Sequence, residues 1–174
     1  MRQEYCFMLT LTRKLAALVV AASLALPLTA SADPVKGPET VTKVRYGGAD
    51  SLACLTEALY FEARGEGRSG QRAVAEVILN RVDSRAFPNS VCGVVHQRGQ
   101  FTYNKGRRMS NAAAASRARQ IAADALAGAP RELTNGATYF HTTQVRPSWS
   151  KRFTRTTKIG SHIFYRQGRR VAAN

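Results

Sequence analysis

The apolar residues change their spacing along the chain, and each spacing predicts a different element. Leu15 to Leu26 is a nearly continuous apolar run that breaks at Pro27. From Leu52 the spacing becomes 3 and 4 (Leu52, Leu55, Leu59), which predicts a helix with one buried face. Asp50 and Ser51 precede it as candidate N-caps, and Gly65 and Gly67 follow as its stop. Val74, Val77, Ile78 and Val82 predict a second helix over about residues 70–83. Arg72, Glu76 and Asn80 form a polar row opposite, with Arg72 and Glu76 spaced to pair. A turn at Phe87-Pro88-Asn89 and a loop over 93–110 lead to a third helix over about 111–127, closed by Gly128 and Pro130. After Asn135-Gly136 the texture changes. Ala137 to His141 reads as a strand, and Phe153–Ile159 with His162–Arg166 as a hairpin about Gly160-Ser161. The pattern predicts one α+β domain, mainly α, with a small C-terminal β-hairpin or sheet.

The first apolar run belongs to a different object. Arg2, Arg13 and Lys14 precede it and Ala30-Ser31-Ala32 follows it, the arrangement of an export signal cleaved after residue 32. A membrane anchor is the alternative, but a span needs about 20 apolar residues. This run is shorter, and Pro27 interrupts it. No Cys follows the cleavage site, which leaves lipoprotein anchoring unsupported. Glu4 is out of place in a basic leader, and Met8 is an alternative start. Residues 33–49, with Pro34, Gly37, Pro38, Gly47 and Gly48, read as a disordered linker, 50–166 as the folded domain and 167–174 as a basic tail. The expectation is an exported protein of periplasm, envelope or medium, with no stable membrane anchor after cleavage.

Charge and cysteines gain meaning from that compartment. The chain has 26 Lys and Arg against 11 Asp and Glu; the leader holds three and one of these, so the remainder has 23 and 10 and a net charge of +13. Such a charge favours an anionic partner. Export excludes nucleic acid and leaves anionic envelope polymers. Cys54 and Cys92 survive cleavage, and an even number in an oxidising compartment reads as one disulfide.

Glu62 is the residue that local physics selects. It continues the Leu52–Leu55–Leu59 stripe, and it lies near the negative end of its helix dipole. Desolvation and the dipole both raise a carboxyl pKa, and a protonated carboxyl is what glycosidic cleavage needs as general acid. The alternative is a helix-end glutamate paired with Arg64 or another arginine; spacing alone leaves both open.

The segment Ala58-Leu59-Tyr60-Phe61-Glu62-Ala63-Arg64-Gly65-Glu66, with Gly70-Gln71, Val77-Ile78-Leu79-Asn80-Arg81-Val82, Val91-Cys92-Gly93, Gln100-Phe101-Thr102, Ala137-Thr138-Tyr139-Phe140-His141 and Ile159-Gly160-Ser161-His162-Ile163-Phe164-Tyr165, resembles the catalytic domain of spore-cortex-lytic (SleB-type) cell-wall hydrolases. The resemblance runs in order over about residues 52–166. It implies a fold like that of lysozymes and lytic transglycosylases, peptidoglycan as partner, and Glu62 as the catalytic acid; no cofactor or metal is expected. A lone Glu suffices where it protonates the bridging oxygen and then takes the proton of the muramic acid 6-hydroxyl, giving an anhydro product. Only Glu66 lies near Glu62 by spacing, across glycines, so the one-Glu lytic route is favoured over a two-carboxylate hydrolase. Glu66, Gln100, Phe101, Tyr103, Tyr139 and His141 are the candidate substrate-binding residues. Trp149 either stacks on a sugar or caps the core.

Two other classes are weighed. A muramoyl-L-alanine amidase with zinc needs a ligand cluster, and His96, His141 and His162 are far apart in sequence. A non-catalytic basic wall-binding module is the third reading. Oligomeric state leaves no mark in the sequence.

Overall fold

The computed structural model describes residues 46–101, 103–104 and 106–168. The export signal, the linker as far as residue 45 and the tail from 169 lie outside the described residues. Four α-helices come first: α1 (Ala49–Ala63), α2 (Arg68–Asp83), the short α3 (Val91–Val95) and α4 (Ala112–Leu126). Strands β1 (Tyr139–Thr142), β2 (Thr154–Ile159) and β3 (His162–Arg166) follow, with a 3-10 turn over Ser148–Lys151 between the first two. The strands form one antiparallel sheet in the order β1-β3-β2. The fold is therefore α+β and mainly α, as the apolar pattern predicts.

Helix α2 is the shaft of the domain. One side packs with α1, α3 and α4 around Leu55, Leu59, Val74, Ile78, Val91 and Ile121. Its other side, through Ala73 and Val77, meets Ala137 and Phe164 of the sheet region. A helix wedged between two partners is buried nearly all round. This corrects the polar row expected opposite its apolar face. Only Arg72 of that row is exposed. Glu76 is 3% exposed and accepts hydrogen bonds from Leu133 N (3.2 Å), Thr134 N (2.9 Å) and the Thr134 hydroxyl (3.0 Å). Asn80 Nδ2 donates to Ala137 O at 2.9 Å. The row receives the segment that leads into β1, and the Arg72–Glu76 pair does not form because Glu76 is committed elsewhere.

Helix ends differ from expectation in the same local way. Gly48, with φ +106, stands at the N-cap of α1, and Asp50 falls inside its first turn, where a carboxylate favours the dipole. Ser51 donates its hydroxyl to Gly47 O instead of capping. At the other end, neither Gly65 nor Gly67 adopts positive φ; the buried Gln71 side chain donates to Ala63 O at 3.1 Å and takes over the role of a C-terminal glycine. Helix α3 interrupts the expected loop and is capped by Ser90 Oγ, which accepts from Gly93 N. Tyr46, assigned by composition to the linker, is buried and donates its hydroxyl to Asp83, so the packed body reaches back at least to residue 46.

The candidate active site

Glu62 sits in the last turn of α1, half-buried, on the wall of a cleft of about 480 Å³. Arg81 of α2, the Gly99-Gln100 loop, β1, Trp149 and His162 of β3 complete the walls. The volume lies within the range that binds small ligands. Past His141 and Val145, which belong to both, the cleft continues into a second hollow of about 330 Å³ bordered by Arg146, Lys151 and Arg155.

One wall is aromatic. The Tyr139 ring lies 5.5 Å from that of Trp149 and 4.6 Å from that of Phe153. His141 stacks on Tyr165 at 5.2 Å. His141 Nδ1 is 2.8 Å from the Thr142 carbonyl, which can only accept, so in the neutral ring Nδ1 carries the proton and Nε2 accepts from the Tyr165 hydroxyl at 3.0 Å. Trp149 is half-buried, packs against the rings of Tyr139, Phe153 and Tyr165, and borders the cleft.

The expected loop residues divide. Gln100 borders the cleft. Phe101 packs over the Arg81 guanidinium, 5.9 Å from it, and against the helical core. Tyr103 stacks on Phe61 at 4.8 Å. Burial, then the carboxylates of Glu57 and Glu62, hold its phenol above the ordinary value of 10.0, so the hydroxyl stays protonated beside Glu62. Glu66 is not itself among the cleft-lining residues but stands behind one of them, His162. It accepts from the Ser161 backbone and hydroxyl and lies 3.6 Å from His162 Nδ1.

Arg81 and His162 line the cleft although neither is among the candidate substrate-binding residues expected from the sequence. Both carried a signal. Arg81 follows Val77 at +4 and Ile78 at +3, on the same buried stripe logic that singled out Glu62. His162 shares a strand face with the buried Phe164. The sheet also brings His141 and His162 to one cleft, since Thr142 faces His162 across the β1–β3 ladder. The Sγ atoms of Cys54 and Cys92 lie 2.14 Å apart, joining α1 to α3.

A family model described as Cell Wall Hydrolase matches residues 65–165, beginning just past Glu62. The chain is 37% identical over 130 residues to the spore cortex-lytic enzyme of Halalkalibacterium halodurans, covering 72% of this chain and 38% of that protein. It is 36% identical over 116 residues to the spore cortex-lytic enzyme of Bacillus subtilis, covering 66% and 37%. The chain thus spans less than half the length of the curated relatives it matches. It spans nearly all of two solved domains. One is the catalytic domain of the Bacillus cereus SleB protein (33% identity, TM-score 0.53, 66% of this chain and 88% of that one). The other is the catalytic domain of the germination-specific lytic transglycosylase SleB from Bacillus anthracis (32%, TM-score 0.56, 68% and 96%). With more than half of its residues inside the matched region, the chain belongs to the cell wall hydrolase family.

Proposed function

We propose that this protein is an exported enzyme that cleaves peptidoglycan glycan strands between MurNAc and GlcNAc, with Glu62 as its single acid and base. The observation that carries this reading is that Glu62 is the one carboxylate among the described residues lining the cleft. A two-carboxylate hydrolase needs a second carboxyl about 5–9.5 Å from the first. The nearest acids in sequence are otherwise engaged, Glu57 with Gly106 N and Glu66 with Ser161.

In this scheme the Glu62 carboxyl gives its proton to the bridging oxygen as the glycosidic bond breaks. The resulting carboxylate takes the proton of the muramic acid 6-hydroxyl, whose oxygen closes on the anomeric carbon. The carboxyl ends as it began, and no water is consumed. Tyr139, Trp149 and Phe140 line the cleft, and aromatic rings suit the apolar sides of sugars. The similarity to a domain described as a lytic transglycosylase supports the same product class. The leader and the +13 remainder support an envelope destination, where the Cys54–Cys92 bridge persists.

The test is digestion of purified sacculi with residues 33–174 and its Glu62→Gln variant, with the products read by mass spectrometry. Anhydro-muramic ends released by the parent and not by the variant are expected. Reducing ends would replace the lytic scheme by hydrolysis, free stem peptides would indicate an amidase, and equal release by both chains would remove Glu62 from the chemistry.

A further inference from the structure

Arg81 is the one permanently charged cation among the described residues of the cleft wall, and it is only 4% exposed. Its guanidinium faces are taken by aromatic rings, Phe87 at 5.1 Å, Tyr139 at 5.6 Å and Phe101 at 5.9 Å. Its Nε donates to the Thr138 carbonyl at 2.6 Å. Nη1 is buried without an acceptor. The ion pairs formed among the described residues, Arg131–Asp83 and His162–Glu66, do not include it. Burial pushes its pKa down to about 10, which still leaves it charged at neutral pH. A buried cation without a carboxylate is costly, because its lost hydration is not repaid by a counter-charge. Aromatic faces offset part of that cost but leave Nη1 without an acceptor, and a guanidinium's N–H groups form the fork that matches a carboxylate.

We infer that Arg81 receives the lactyl carboxylate of a muramic acid whose stem peptide has been removed. The inference rests on the reading that the cleft holds a glycan strand. Among the groups fixed directly to such a strand, hydroxyls and acetamides are neutral. The lactyl group alone ionises, and only when no peptide is amide-linked to it. Stem-peptide carboxylates begin at least one residue further out, on an arm that leads away from the sugar. A guanidinium set into the cleft wall meets what the sugar itself carries, whereas the exposed Arg146, Lys151 and Arg155 border the second hollow. The substrate would then be the product of an amide hydrolysis that strips the peptide and leaves the carboxylate. Arg81 would be a specificity-determining residue, and the enzyme would act after an amidase.

The test uses two tetrasaccharides of alternating GlcNAc and MurNAc, one with free lactyl carboxylates and one with lactyl carboxamides, titrated calorimetrically into Glu62→Gln protein. The carboxylate form is expected to bind about tenfold tighter or more. Adding Arg81→Gln should bring the two within about twofold, and Arg81→Lys should keep part of the preference, with far-UV circular dichroism showing that each variant is folded. Equal affinities in the Arg81-intact protein, or no binding of either sugar, overturn the inference without recourse to any Arg81 variant. Parent enzyme releasing fragments equally fast from amidase-treated and untreated sacculi would overturn it and leave the proposed function standing. No release from either would instead count against that function.

Discussion

Glu66, between α1 and α2, accepts hydrogen bonds from the Ser161 N–H, 3.3 Å from each of its oxygens, and from the Ser161 hydroxyl, across 95 positions of sequence. Two glycines make room for this carboxylate. A Cβ on Gly160, where φ is +56, would lie 1.7 Å from Glu66 Oε2, and one on Gly70 would lie 2.7 Å from Glu66 Cβ. The helical half and the hairpin turn are latched through one side chain. Glu66→Ala and Gly160→Ala should therefore each destabilise the fold by about 1–3 kcal/mol, the second through strain as well as lost contact. Urea unfolding checks both. A Glu66→Ala protein of unchanged stability with a raised KM would instead favour the substrate-binding role expected from sequence.

His162 makes the same joint pH-sensitive. Burial holds its imidazole below the ordinary 6.5 and His141 pushes the same way, while the Glu66 carboxylate acts in the opposite sense. The unfolded chain therefore takes up the proton more readily than the folded one. Stability is complete above about pH 6.5 and falls as the pH drops below it. Urea midpoints should decline from pH 7.5 to 5.5, and His162→Gln should flatten that decline. Glu66→Gln should steepen it by removing the charge that supports protonation.

Glu76 serves as a buried anchor, and its loss should be felt in the sheet. Glu76→Ala strands the Leu133 and Thr134 amide donors and should cost about 2–4 kcal/mol. Hydrogen exchange should localise the loosening to residues 133–142, ahead of the α1–α4 core.

Reduction of the Cys54–Cys92 pair, or Cys54→Ser with Cys92→Ser, should lower stability by about 4 kcal/mol, the loop-closure value for the 38-residue separation. Thermal melts with and without reductant measure it. Insensitivity to reductant in refolded protein would mean that the bridge is dispensable.

The long elements were legible because their apolar positions keep one period over two or more turns. Leu52-Leu55-Leu59 marks α1, and the alternation about Gly160-Ser161 marks the hairpin. Helix α3 was not, since five residues cannot display a helical period. The α2 polar row was misread because Glu76 and Asn80 look solvated until residues 133–138 come to lie on them. Glu62 stood out because a charge on an apolar stripe is anomalous, and it does line the cleft. Arg81 is the same anomaly one helix later, but its meaning depends on Phe87, Phe101 and Tyr139, which only the fold gathers around it. The Glu66 role was equally hidden, since its partner is 95 residues away.

The strand order carries a consequence for timing. β3, the last strand to be synthesised, is the middle of the sheet, and β1 has no strand beside it until β3 arrives. Glu62 and Arg81 are both made early, on helices that precede the sheet, but the wall holding His162 is laid down only at the end. A nascent or truncated chain ending before residue 162 carries Glu62 and Arg81 without the wall that His162 contributes to their cleft. The topology thus leaves the cleft without one of its walls until β3 has been made.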